Sequence, residues 1–117
     1  MSRRDLDRLE DIREAVVAIN SHLARGGLDD GLVFDAVRIR LLEIGEAVKV
    51  LPASLLVSEP GVDWPAVSRF RDQLAHHYWD TAHAILQHVV DVDLPQLAAA
   101  TTRLASRARL DDGAGQS

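Results

Sequence analysis

The chain has 117 residues, of which 47% are hydrophobic and 26% charged, and this composition is typical of one globular domain of ordinary size. Only 4% of the residues are aromatic and the apolar set is mainly aliphatic, which favours helix-on-helix packing over a β-barrel. The lack of cysteine excludes disulfides, thiolate metal sites and cysteine nucleophiles. A net charge of -5 argues against a broad cationic face for duplex nucleic acid but leaves room for a local basic cleft.

The N-terminal sequence MSRRDLDRLEDIREAV is charged from its third residue and has no apolar core of the kind found in secretory signals. No uninterrupted apolar run approaches the roughly 18 residues that a membrane span needs. The sequence therefore predicts a cytoplasmic protein that does not associate with membranes.

The first half of the chain predicts two long amphipathic helices. Apolar residues recur at spacings of three and four over residues 6–23, and the Gly26-Gly27 pair ends that pattern. Asp29 and Asp30 can cap a second helix, whose apolar stripe runs over residues 34–51 and stops at Pro52.

The second half predicts three further helices after a loop that contains one short helical turn, over residues 52–61. Asp63 and Pro65 open a long helix that runs to about Trp79, because proline is tolerated in a first turn. Asp80-Thr81 is expected to cap the next helix and Asp93-Leu94-Pro95 to start the last one.

These five segments favour an all-α fold, an antiparallel four-helix bundle with a shorter fifth helix. We expect one domain over residues 1–110. The small, polar residues 111–117 have little to bury and are expected to form a disordered tail.

Residues 69–79 (RFRDQLAHHYW) concentrate guanidinium, imidazole and phenol groups on one predicted helix. At about 100° per residue, Tyr78 lies about 20° from Arg71, whereas His76 lies about 140° away. Arg71 and His76 of one straight helix therefore do not point to the same place. The long arginine side chain, fraying at the helix end, or a two-fold axis that brings in a second copy would each unite them.

The spacing Arg71-x-x-x-x-His76-x-Tyr78 resembles the motif of the HepT-like toxins, a branch of the HEPN superfamily of small helical ribonucleases. The resemblance covers about residues 5–105. Four separated landmarks occur in the order that the family shows: Ile44-Gly45-Glu46-Ala47 with Leu51-Pro52, Asp63-Trp64-Pro65, the motif itself, and Asp93-Leu94-Pro95-Gln96-Leu97.

The resemblance implies a HEPN-like bundle that acts as a homodimer and cleaves RNA as the toxin of a prokaryotic toxin–antitoxin pair, with no metal and no cofactor. Arg71 and His76 are then the catalytic residues. Imidazole, with a pKa of about 6.5, can exchange the protons of the ribose 2′-hydroxyl and the leaving 5′-oxygen, and a guanidinium can bind two phosphoryl oxygens. The expected products are a 2′,3′-cyclic phosphate and a 5′-hydroxyl.

The resemblance also implies an antitoxin, a minimal nucleotidyltransferase of the MntA type, which silences the toxin by transferring AMP to the motif tyrosine. That residue is Tyr78, the only tyrosine in the chain. The alternative function is a non-catalytic helical subunit that binds a nucleotidyltransferase partner.

Three nearby residues are candidates for supporting roles. Asp72 lies four residues before His76 and so on the same helical face, where it can hold the imidazole; HepT-like toxins usually have Asn in its place. His77 is a neighbour of the site or solvated, and Glu46 can contact Arg71 from an adjacent helix.

A metal site is the remaining alternative. Asp80-x-x-His83 places a carboxylate and an imidazole one turn apart, but helical metal sites need a matching pair on a second helix, which this sequence lacks. We therefore expect no bound metal.

Overall fold

The computed structural model describes residues 2–75 and 79–115, and within these ranges every regular element is helical. The elements are α1 (Arg3–Leu23), α2 (Gly31–Lys49), α3 (Ala53–Leu56), α4 (Trp64–Ser68), α5 (Phe70–Ala75), α6 (Trp79–His88) and α7 (Leu94–Gly115), with a π-helical segment (Val89–Asp93) between α6 and α7. The predicted all-α class is confirmed. None of the described helices is both long and apolar enough to cross a membrane.

The two long helices predicted for the first half are confirmed as α1 and α2. The hydroxyl of Ser2 accepts a hydrogen bond from the amide of Asp5, whose carboxylate in turn accepts from the amide of Ser2, so the two residues form a capping box. The carboxylate of Asp30 accepts from the amide of Leu32 at 2.9 Å and caps α2 as predicted. The short turn predicted after Pro52 is α3.

The single helix predicted from Asp63 to about Trp79 is wrong in its middle. Its start is correct, since the Asp63 carboxylate accepts from the amide of Ala66 at 3.1 Å. The helix then breaks at Arg69 (φ -98°, ψ 10°), where α4 ends and α5 begins. The carbonyl oxygens just before the break lie against Gly45 of α2, so a tertiary contact overrides the apolar periodicity that runs through both helices.

The cap predicted at Asp80-Thr81 is wrong, because the preceding residue, Trp79, is already helical. The start predicted at Asp93-Leu94-Pro95 agrees with the first residue of α7, Leu94, but the break expected before it is absent. No break separates α6 from α7: the amide of Leu94 bonds to the carbonyl of Val89 in the five-residue spacing of a π-helix. Pro95 lacks an N–H and crowds the preceding turn, and the wider π turn keeps the helix continuous there.

Helix α7 reaches Gly115, so helical backbone continues past the boundary expected at residue 110. Residues 116 and 117 lie outside the described residues. The domain over residues 1–110 and the disordered tail over 111–117 stay predictions.

Helix α1 packs against α2 and α7, and α2 packs against α4 and α5. Glu10, near the start of α1, pairs with Arg109, near the end of α7, and Val17, further along α1, lines the same groove as Ala98, near the start of α7, as in an antiparallel pair. The core is almost wholly aliphatic. Its largest fully buried side chains are Leu9, Ile12, Ile19, Val37, Leu41, Ile44, Leu86, Leu97, Thr101 and Leu104. The result is an elongated bundle of 52 × 26 × 20 Å in which α2 carries α4 and α5, and therefore Arg71.

Candidate active site

Arg71 lies in the first turn of α5 at the edge of a groove of about 940 Å³ between α1 and α2. Its side chain is exposed, and within the described part of the chain it makes no hydrogen bond and no ion pair. A guanidinium is permanently charged and suits a planar oxyanion such as phosphate. Arg71 is therefore placed to receive an anionic ligand.

The groove has an apolar floor and a charged rim. The floor is formed by Ala15, Ala18, Ile39, Leu42, Ala47 and Val50, and the rim carries three arginines and four carboxylates, Arg8, Arg40, Arg71, Asp11, Glu14, Glu43 and Glu46. Arg8 pairs with Asp11 at 2.7 Å and Arg40 with Glu43 at 3.1 Å. This balance of signs does not favour a polyanion, but it suits a protein surface of similar character.

Gly45 explains how α2 brings α5 into place. A β-carbon at Gly45 would lie 3.0 Å from the carbonyl oxygen of Val67 and 3.6 Å from the β-carbon of Phe70. A glycine in mid-helix costs about 1 kcal/mol relative to alanine, so this one is explained by close packing. The approach fixes the start of α5, one residue before Arg71.

The structure assigns a second cation near the motif that the sequence did not single out. Arg38 of α2 is half-buried and its Nη1 donates to the carbonyl oxygen of Leu74 at 3.4 Å. One turn earlier on α2, the ring of Phe34 stacks on His83 of α6 with centroids 6.0 Å apart and planes within 3°. An arginine in an amphipathic pattern normally indicates a solvated face, so no sequence signal marked it.

The supporting residues predicted around Arg71 are only partly brought together. Asp72 is exposed on α5 and makes no ion pair with another described residue. Glu46 lines the same groove as Arg71, but its carboxylate accepts a hydrogen bond from Lys49 at 3.3 Å. His76, His77 and Tyr78 lie outside the described residues, so their predicted roles stay predictions.

Within the described ranges, no group of three or more His, Asp or Glu side chains is arranged to hold a metal ion. His83, the imidazole of the Asp80-x-x-His83 alternative, stacks on Phe34.

Two ion pairs to one buried carboxylate hold the loop that leads into α4. The Glu59 carboxylate, only 10% exposed, accepts from Arg103 at 2.7 Å and from Arg107 at 2.5 Å. The hydrogen bond from Arg103 keeps the pKa of Glu59 below its ordinary value, although burial acts in the opposite direction. The Glu59 carbonyl also accepts from Nε1 of Trp64 at 3.0 Å. The one signal of this cluster in the sequence is the lone carboxylate of Glu59 in the loop before α4, and it does not reveal the two arginines.

Comparison with known proteins agrees with the motif. Residues 6–104 match the family model described as ribonuclease HepT-like. A Thermococcus cleftensis protein, named as a probable ribonuclease HepT, is 35% identical over 83% of this chain and 92% of its own length. A Methanocaldococcus jannaschii protein, named as a candidate RNase, is 37% identical over 76% of this chain and 74% of its own length. No solved structure matches the chain.

The chain belongs to the ribonuclease HepT-like family. The family predicted from the motif and its landmarks is therefore confirmed, together with the HEPN-like all-α fold and the ribonuclease class.

Proposed function

We propose that the protein is a cytoplasmic, metal-independent endoribonuclease and the toxin of a toxin–antitoxin pair. The observation that carries the proposal is Arg71, an exposed guanidinium without a partner in the described part of the chain, at the motif position of a ribonuclease HepT-like protein. An unpaired guanidinium at this position can stabilise the extra negative charge of a pentavalent phosphorane.

The reaction needs two proton transfers and one cation. The ribose 2′-oxygen attacks the adjacent phosphorus while a neutral His76 imidazole takes the hydroxyl proton, and the bond from phosphorus to the 5′-oxygen breaks. A protonated imidazole supplies the proton that the leaving 5′-oxygen needs. Arg71 binds the non-bridging oxygens, and the products are a 2′,3′-cyclic phosphate and a 5′-hydroxyl.

Two copies of His76, one as base and one as acid, meet this requirement in a homodimer. The properties of the groove beside Arg71 support its use as the dimer interface. Its floor is apolar, and Ile39 and Val50 there are 53% and 61% exposed. Its mixed charges suit a self-complementary contact between two copies of the chain. Light scattering at micromolar concentration should give about twice 12.8 kDa. A monomer at that concentration would exclude the two-copy site.

The function is tested by substituting the two adjacent histidines. We expect His76→Ala to lower the rate of RNA cleavage by about 10²- to 10⁴-fold and to abolish growth inhibition, because a proton-transfer group is lost. His77→Ala is the matched control and should have a much smaller effect. If His77→Ala were inactive and His76→Ala active, the assignment would be wrong; a wild-type protein that binds a nucleotidyltransferase but never cleaves RNA would favour the non-catalytic alternative.

We further propose that Tyr78 is the regulatory site and that an MntA-type nucleotidyltransferase modifies it. The phenol oxygen attacks the α-phosphorus of ATP, pyrophosphate leaves, and the phenolic proton passes to a base of the partner enzyme. The added phosphodiester is a negatively charged ligand for the Arg71 guanidinium and competes there with RNA phosphate.

The modification is tested with Tyr78→Phe, which keeps the ring and removes the acceptor oxygen. This variant should cleave RNA at close to the wild-type rate, yet stay active when it is coexpressed with the nucleotidyltransferase. The mass of the wild-type protein should rise by one or more AMP units on the peptide that contains Tyr78. Equal neutralisation of both proteins without a mass change would instead support inhibition by binding alone.

A further inference from the structure

Arg38 is the one charged side chain of the described residues whose buried nitrogen has no hydrogen-bond partner there. Its Nη1 donates to Leu74, but its Nε is fully shielded and unpaired within the described part of the chain. A buried polar group without a partner costs about 1–3 kcal/mol. A residue with a purely structural task at this place would serve better as an aliphatic side chain, so the guanidinium needs another explanation.

Arg38 contacts the main chain of α5 at Leu74, two residues before His76 in the sequence. A guanidinium is a charged donor, and hydrogen bonds from charged donors are stronger than those between neutral groups. Leu74 is buried, and only Ala75 separates it from the motif histidine in the chain. Arg38 thus holds α5 directly before the motif histidine in the sequence.

Helix α2 also contacts the other side of the motif. Phe34, one turn before Arg38, stacks on His83 of α6. In the chain, Leu74 precedes the motif histidine and His83 follows Tyr78, so the two contacts of α2 flank the motif segment in sequence. A third contact is the close packing of Gly45 on Val67. Through these three contacts, α2 holds the chain before and after Arg71 in sequence.

We propose that Arg38 is a positioning residue for RNA cleavage: its guanidinium holds the main chain of α5 at Leu74, two residues before the motif histidine in the sequence, and thereby positions that histidine for proton transfer. This inference rests on the proposed ribonuclease function. It predicts an effect on the catalytic step rather than on RNA binding, because Arg38 acts through the main chain of α5.

The test compares three variants of the full-length protein by steady-state kinetics on RNA, with each rate normalised to the folded fraction. Arg38→Met keeps the aliphatic stem and removes the guanidinium, and we expect kcat to fall about 10- to 100-fold with KM within about threefold of wild type. Arg38→Lys keeps one charged donor and should recover part of kcat. Arg13→Met is the matched control, since Arg13 is a similarly half-buried arginine paired with Glu10 on α1.

Two results would overturn the proposal. If Arg38→Met kept wild-type kcat per folded molecule, or if it raised KM at unchanged kcat, Arg38 would be either inert or an RNA contact instead of a positioning residue. The wild-type protein and His76→Ala are measured in the same assay. If the wild type does not cleave RNA, or if His76→Ala cleaves it equally well, the ribonuclease proposal fails, and this failure is distinct from that of the Arg38 proposal.

Discussion

Arginine side chains in two regions of this small bundle differ in whether their donors are paired. At the loop before α4, Glu59 accepts hydrogen bonds from Arg103 and Arg107, and one buried carboxylate satisfies two cations. Around α5, Arg71 in the first turn has no partner within the described residues, and Arg38 donates to Leu74 while its shielded Nε has no partner there. The first arrangement fixes a loop onto a helix; in the second, the exposed guanidinium of Arg71 stays open for a ligand.

Under the proposed function, the difference separates charges that support the fold, those of the Glu59 cluster, from the guanidinium of Arg71, which supports the reaction. A buried carboxylate needs its cations, since losing them leaves an uncompensated charge. An exposed guanidinium on a short helix adds little to stability and is free to bind phosphate. The two regions should therefore respond to substitution in opposite ways.

The largest expected contrast is between Arg71→Ala and Arg103→Ala. Arg71→Ala should lower RNA cleavage by about 10²-fold or more, with the midpoint of thermal unfolding unchanged, because a group that stabilises transition-state charge is removed. Arg103→Ala should lower that midpoint while the rate per folded molecule stays at the wild-type value. Paired melting and cleavage assays check both, and a large stability loss in Arg71→Ala would contradict the division.

A second prediction concerns the pH dependence of the Glu59 cluster. Because Arg103 lowers the folded-state pKa of Glu59 below 4.5, its contribution to stability is present above that value and is lost as the pH falls through the folded pKa. Glu59→Gln should cost about 1–3 kcal/mol of unfolding free energy at pH 7. The cost should shrink in acid, and urea unfolding at several pH values measures it; a constant difference would contradict the charge-based explanation.

A third prediction concerns the close packing of Gly45 on Val67, which positions α5 beside the groove. Gly45→Ala places a methyl group against the carbonyl of Val67, so the gain of about 1 kcal/mol in helix propensity should be outweighed by the displaced backbone. Gly31→Ala is the control, because a β-carbon there meets nothing within 4 Å. We expect lower stability and slower cleavage for Gly45→Ala and neither for Gly31→Ala; a stabilised, fully active Gly45→Ala would show that close approach is unnecessary.

The parts of the fold that the sequence predicted are those with local causes. Helices α1 and α2 follow from apolar spacing and from caps formed by residues within three positions, such as Asp30 to Leu32. The break at Arg69 depends on α2 approaching from elsewhere in the chain. The local signal at Asp93-Leu94-Pro95 predicted the first residue of α7, but not the π-helical segment that joins α6 to α7 without a break.

The same division applies to the candidate site. Arg71 was identified by the spacing of a short motif, which is visible in the sequence alone. Arg38 reaches Leu74 across 36 residues, and Glu59 reaches Arg103 across 44, so neither contact leaves a local pattern. Long-range contacts of single polar side chains need the packed structure to be recognised.

The most direct test of the ribonuclease assignment is the chemistry of the cut ends. Purified wild-type protein should cleave single-stranded RNA in the presence of excess EDTA and leave a 2′,3′-cyclic phosphate and a 5′-hydroxyl, because arginine and histidine alone carry the proposed reaction. End-labelling with polynucleotide kinase, without prior phosphatase, and mass spectrometry of the fragments identify both ends. Fragments with a 5′-phosphate and a free 3′-hydroxyl, or activity that EDTA abolishes, would contradict the account.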